Sequence, residues 1–151
     1  MKPYLLDTNL LIALAWPNHV HHDEAQSWFA QKRFARKGSA GFRTCPITQT
    51  GFVRISSNPA FTPEAVTPGE AMALLEQVTR LPGHDFWPDD IPLYKVLTGR
   101  PALTGHRQIT DVYLIALAVL HEGLLATLDR ALAPLARQGR HTIEVVGQPK
   151  N

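Results

Sequence analysis

The sequence predicts an α/β fold, a parallel sheet with helices on both faces. Three observations predict it. Short apolar runs of strand length alternate with longer stretches whose apolar residues recur every three or four positions. Gly, Pro, Asn and Ser stand at the boundaries between them. Two of the apolar runs, Tyr4-Leu5-Leu6 and Leu124 to Leu128, each stop on an aspartate, as strands do where they leave a sheet core.

Tyr4 to Leu6 is the first strand. Thr8 and Asn9 are helix-capping residues, and the helix they open runs through Leu10 to Trp16, ahead of Pro17. A second helix fits Asp23 to Lys37, with Ala25, Trp28, Phe29 and Lys32 on one face. Gly38 to Gly41 is a loop and Phe42 to Ile47 a strand. Thr48 leads a helix through Phe52, Val53 and Ile55, closed by Ser56-Ser57-Asn58-Pro59. Thr67-Pro68 opens a helix whose apolar positions are Ala71, Leu74, Leu75 and Val78, since proline is tolerated in a first turn. Leu81 to Pro92 reads as irregular, with a short strand near Asp85-Phe86-Trp87. Thr110 caps a helix from Asp111 to Glu122 that is apolar almost all round and therefore buried, and Gly123 ends it. Leu124 to Leu128 is a strand, Ala131 to Arg137 a short helix, and Thr142 to Val146 the last strand.

The bulk composition narrows the class. With 151 residues the chain suits a single domain spanning 1–151, and 44% hydrophobic against 19% charged residues is enough for a real core. A net charge of +2 is compatible with a nucleic-acid partner without demanding one. One cysteine, Cys45, cannot form an internal disulfide, which suits a reducing compartment. The start of the chain lacks a signal-peptide pattern, and no apolar run approaches the ~20 residues needed to span a bilayer. The expectation is a soluble, cytoplasmic protein with no membrane partner.

The chemistry lies in the acids. Asp7 and Asp129 end two apolar strands, and in an open α/β sheet ligands bind beyond the carboxyl ends of the strands. Asp111 begins the buried helix. Three such carboxylates would repel: two unit charges about 4 Å apart cost roughly 4 kcal/mol at an effective dielectric of about 20. A hard divalent cation removes that cost, and oxygen-only ligation suits Mg²⁺, or Mn²⁺, better than zinc. Such a metal activates water and stabilises charge on a phosphoryl oxygen. The competing reading of each aspartate is a turn former or helix cap.

Three blocks, Leu5-Leu6-Asp7-Thr8-Asn9, Thr110-Asp111-Val112-Tyr113-Leu114-Ile115-Ala116-Leu117-Ala118 and Leu125-Ala126-Thr127-Leu128-Asp129, resemble those of PIN-domain nucleases. The branch they resemble is that of VapC-type toxins of bacterial toxin–antitoxin modules. Cys45 to Arg54 with Ser57-Asn58-Pro59, Phe86 to Asp90, and Gly105 to Gln108 extend the likeness over essentially the whole chain. The resemblance implies a three-layer α/β/α sandwich and a Mg²⁺-dependent endoribonuclease that inhibits growth. It also implies a small cognate antitoxin in the active-site groove, and homodimers. It makes Asp7, Asp111 and Asp129 the catalytic metal ligands and gives Asn9 and Thr127 the task of orienting them.

One residue departs from the family pattern. Gln49 stands where the family usually has glutamate, so the site holds three formal negative charges instead of four. Glutamine keeps a carbonyl oxygen, and Gln49 is read as a neutral fourth ligand or water-holder. The departure raises a rival reading, a PIN-fold module that binds RNA or a partner without cutting. A small-molecule phosphatase is a third reading.

Between Glu24 and Glu64 there are no acids but six basic residues, Lys32, Arg33, Arg36, Lys37, Arg43 and Arg54. They suit an RNA backbone or an acidic partner, with Arg43 and Arg54 the candidate RNA or antitoxin contacts. His19, His21 and His22 lack the partners of a zinc site. Asp89 and Asp90 read as loop or capping residues, Trp28 and Phe29 as core or interface, and Cys45 as buried rather than nucleophilic.

Overall fold

The structure, a computed structural model, describes residues 1–97, 105–136 and 141–147. Five strands, β1 (Tyr4–Leu6), β2 (Phe42–Thr44), β3 (His84–Phe86), β4 (Leu124–Thr127) and β5 (Ile143–Val145), form one sheet in the order β3-β2-β1-β4-β5. Every pairing is parallel. Helices α1 (Thr8–Ala15), α2 (His22–Lys32), α3 (Pro46–Ser56), α4 (Pro68–Thr79), α5 (Leu93–Leu97), α6 (Ile109–Leu120) and α7 (Ala133–Ala136) cover the sheet.

Strand side chains alternate between faces, and the core divides accordingly. Leu5 and Leu125 point to the face covered by α6, where Leu114, Ile115 and Leu117 meet Val96 of α5. Leu6 and Ala126 point to the other face, against Leu10 and Leu11 of α1, Trp28 of α2 and Phe52 of α3. Sheet between two helical layers is the predicted sandwich. Full burial of a leucine such as Leu5 or Leu6 contributes about 1.5–3 kcal/mol, so the strands that carry the acids are held by apolar packing on both sides.

The structure corrects several expected boundaries. α2 stops at Lys32, not Lys37: Arg33 takes a left-handed conformation (φ 52°) and turns Phe34 inward. Phe34 is buried, edge-on to Tyr4, Trp28 and Phe29. The aromatic cluster outweighs continued helix. β2 ends at Thr44, and Cys45 is the N-cap of α3, which begins at Pro46 instead of Thr48. Asp7, not Thr8 or Asn9, caps α1. α6 begins at Ile109, so Thr110 lies inside its first turn instead of capping it. A 3-10 turn (Arg130–Leu132) precedes α7, and the expected helix end at Arg137 lies outside the described residues. α5 was not foreseen.

Candidate active site

β1 and β4 are adjacent, in register from Tyr4–Leu124 to Leu6–Ala126. From β1 the sheet grows one way through β2 and β3, and from β4 the other way through β5. Their carboxyl ends therefore flank the point where strand order reverses, and the crevice opens there. The Asp7 N–H still belongs to the ladder, donating to the Ala126 carbonyl at 2.9 Å. The next residues turn away into α1.

One hydroxyl organises this junction. Thr127 Oγ1 accepts from Asn9 Nδ2 (3.2 Å) and from the Asp129 N–H (3.1 Å). With its lone pairs so used, its own proton goes to Asp7 Oδ2, at 2.7 Å. Asn9 Oδ1 accepts from the Leu128 N–H at 3.1 Å, tying the start of α1 to the end of β4. Asp7 Oδ1 accepts from the Thr8 N–H at 2.7 Å. Asn9 and Thr127 thus hold Asp7 between two strand ends.

Asp7 is only 7% exposed. Burial raises its carboxyl above the ordinary range and the charge of Asp129 adds to that, against the lowering effect of the Thr127 and Thr8 hydrogen bonds. Asp111 lies in the first turn of α6, half-buried. Its pKa is pushed up to about 6, first by burial, then by the charges of Asp7 and Asp129. Asp129 caps the 3-10 turn, accepting from the Ala131 N–H through Oδ1 at 2.9 Å. The three predicted acids act on one another as negative charges, Asp129 on Asp7 and both on Asp111. Asp7 and Asp129 are also the helix caps that the competing reading made them.

The donor set fits a hard divalent cation: carboxylate oxygens, with no sulfur or imidazole among the groups coupled to Asp7 and Asp111. Among the described residues no three acid, His or Cys side chains stand close enough together to hold a metal ion as they are.

Gln49 sits in the first turn of α3, at the carboxyl end of β2 beside β1. α3 approaches α1 closely there, since a Cβ on Gly51 would lie 2.7 Å from Thr8 Oγ1. Gln49 Nε2 donates to Thr44 Oγ1 at 2.9 Å, and Thr44 Oγ1 lies 2.8 Å from His84 Nε2. The Thr44–His84 pair joins residues 40 apart in sequence, and no local pattern signalled it. Arg54 is exposed near the end of α3. Arg43 lies within β2, its guanidinium over Trp87 and its Nε 3.8 Å from Asp85. Lys32 is committed elsewhere, paired with Glu144 at 2.7 Å.

The groups set aside earlier have local roles. His22 Nδ1 lies 2.7 Å from the Ala13 carbonyl, His19 Nδ1 accepts from the His21 N–H, and His21 faces Glu24. Asp90 faces His121, whose ring stacks on Trp87. Cys45 is buried, and burial pushes its thiol up.

Comparison with known proteins adds a second line of argument. The PIN domain model matches residues 4–138. The chain is 52% identical over 136 residues to "Ribonuclease VapC39" of Mycobacterium tuberculosis, covering 89% of this chain and 94% of that protein. It is 39% identical over 134 residues to "Ribonuclease VapC38" of the same organism, covering 89% and 90%. Among solved structures, VapBC2 from Rickettsia felis, bound to a DNA fragment from its promoter, superposes with a TM-score of 0.62 over 95% of this chain and 98% of that one. At 12% identity that likeness speaks for the fold alone.

Proposed function

Since this chain belongs to the PIN-domain family, with VapC ribonucleases among its relatives, we propose that it is a Mg²⁺-dependent endoribonuclease and the toxin of a toxin–antitoxin pair. The observation that carries the reading is Asp7: a buried carboxylate whose neighbours are a hydroxyl, a backbone amide and two more carboxylates, with no cation set against it among the described residues. A protein that needed Asp7 only as a cap would have no reason to surround it with further negative charge.

Asp7 and Asp111 would hold the metal, and Asp129 would offer a third oxygen, its Oδ1 already accepting from the Ala131 N–H. When bound, the metal supplies a Lewis acid for the phosphoryl oxygen and lowers the pKa of a ligated water. Thr127 and Asn9 keep Asp7 in one rotamer, so no reorganisation is needed as charge develops. Gln49 presents a neutral oxygen beside them. Arg54 is the exposed cation for RNA phosphate or an acidic antitoxin segment, and Arg43 contributes from the β2 side. The natural setting of this reading is the cytoplasm, and among the described residues no helix is long and apolar enough to cross a membrane. A small antitoxin expressed with the chain is expected to co-purify with it and suppress cleavage, and the free toxin is expected to run as a homodimer.

The decisive experiment is cleavage of a mixed RNA substrate by wild type and Asp7→Asn, with Mg²⁺ or EDTA. Cleavage only by wild type with Mg²⁺ is expected; equal cleavage in all arms would overturn the reading. Gln49 favours a second reading, a non-cutting binding module. It stands if wild type is inert and Gln49→Glu cuts, and it falls if wild type cuts.

A further inference from the structure

We infer that His84, acting through the Thr44 hydroxyl, is a positioning residue that fixes the Gln49 amide with its nitrogen turned into the protein and its oxygen left for the site. The argument is one of hydrogen-bond polarity. His84 is half-buried in β3 on the outer side of β2, with Asp85 and Arg43 as its charged neighbours and the Phe42 ring against it. The Thr79 backbone at the end of α4 favours a proton on the ring, so the ring nitrogen not facing Thr44 is assigned as the donor, toward the Thr79 carbonyl. In a neutral imidazole only one nitrogen carries a proton. Hence the nitrogen facing Thr44, Nε2 at 2.8 Å, is the acceptor. Thr44, fully buried, must then give it the hydroxyl proton. The remaining capacity of Thr44 Oγ1 toward Gln49, at 2.9 Å, is as an acceptor. Gln49 therefore offers its NH₂ group, and its oxygen takes no hydrogen bond from any described residue.

The same relay explains why an amide suits this position in this chain. A carboxylate at position 49 has no proton to give, so Thr44 would have to donate toward it. His84 Nε2 would then have to donate to Thr44 while the other ring nitrogen still donates to Thr79. Both donations together require an imidazolium. Burial and Arg43 oppose that charge on His84, and Asp85 with the Thr79 carbonyl favours it, with burial the largest influence. Gln49 and a neutral His84 are thus a matched pair, joined through Thr44.

The inference deepens the proposed metal site only in assigning the freed oxygen to it; the relay itself can be tested without any cleavage. Long-range ¹H–¹⁵N NMR of the His84 ring in the whole protein reads its tautomer and titration. Wild type is expected in the Nδ1–H form near neutral pH, titrating below the ordinary histidine value. Gln49→Glu is expected to raise the His84 midpoint by about one pH unit or more. Gln49→Glu combined with Thr44→Val is expected to lose that rise, because the hydroxyl link is gone. An Nε2–H tautomer in wild type, or a His84 midpoint unmoved by Gln49→Glu, would overturn the inference. Neither result bears on whether the protein cuts RNA, and an inert wild type would leave the relay standing.

Discussion

Two carboxylates of this protein are nearly equally buried, Asp7 at 7% and Glu144 at 8% exposure, and the chain treats them in opposite ways. Glu144, on β5, receives Trp28 Nε1 at 2.8 Å, Tyr4 Oη at 2.7 Å and Lys32 Nζ. These donors and the lysine charge outweigh burial and hold its carboxyl below the ordinary range. The Lys32 ammonium also lies over the Tyr4 ring, 4.6 Å from its centroid. Among the described residues Asp7 has two hydrogen bonds and no cation, and burial wins. The comparison teaches how to separate a structural carboxylate from a working one. The protein completes the first with its own groups; the second is given no cation by the described residues, and the proposed metal would complete it.

The largest effect is expected on the completed side. Lys32→Met leaves Glu144 buried with an uncompensated charge, and is expected to destabilise the fold by about 3–5 kcal/mol in urea melts near neutral pH. The Glu144 shift is downward, so the stability it confers is present at neutral pH and fades as pH falls through its folded value. The deficit of the variant is accordingly expected to shrink in acid. Next, Asp7→Asn removes the focus of the incomplete site. Cleavage is expected to fall about 10²–10³-fold or more, while the metal-free protein melts no lower than wild type, because a repulsive charge has gone. A large loss of metal-free stability instead would make Asp7 a second Glu144 and erase the distinction.

Smaller effects sharpen the contrast. Thr127→Val deletes the hydroxyl that orients Asp7 and is expected to lower activity or metal affinity about 10–100-fold, with the Asp7 carboxyl rising further. The smallest is a slope. The folded pKa of Asp111 is about 6, above that of an unfolded aspartate. Its protonation therefore favours the fold: that contribution is fully present below the unfolded value and is lost as pH rises through about 6. Melts of the metal-free protein at pH 4–7 are expected to show this component in wild type and not in Asp111→Asn. Over the same range Mg²⁺ affinity is expected to weaken below about 6, as protons compete for the carboxylate.

The sheet and the acids were legible in the sequence for local reasons. Leu5-Leu6 and Leu124 to Leu128 are apolar runs too short for helices, and the aspartate after each marks the point where the chain leaves the core. Other features depend on partners far along the chain. Arg33 ends α2 without a glycine or proline to announce it, because burying Phe34 among four aromatic rings decides the matter. Cys45 sits in an apolar run that reads as strand, yet Pro46 and the Thr48 hydroxyl, which accepts from the Cys45 N–H, turn the chain into α3. α5 has five residues, too few for a periodic signal. Lys32 read as a basic residue open to RNA, and only the return of β5 beside β4 shows its partner. Thr44 and His84 carry no signature individually.

The position of β1 in the sheet has a consequence for synthesis. β1 is made long before its neighbours on one side, β4 and then β5. The Thr127–Asp7 bond spans 120 residues and the Tyr4–Glu144 bond spans 140. Contacts of such separation form late, after the entropy of closing the intervening chain has been overcome. Until the 120 residues that separate them have been made, Asp7 lacks the Thr127 hydroxyl that orients it. The order of the strands thus places assembly of this junction late in the making of the fold, after the long stretch between β1 and β4 has been built.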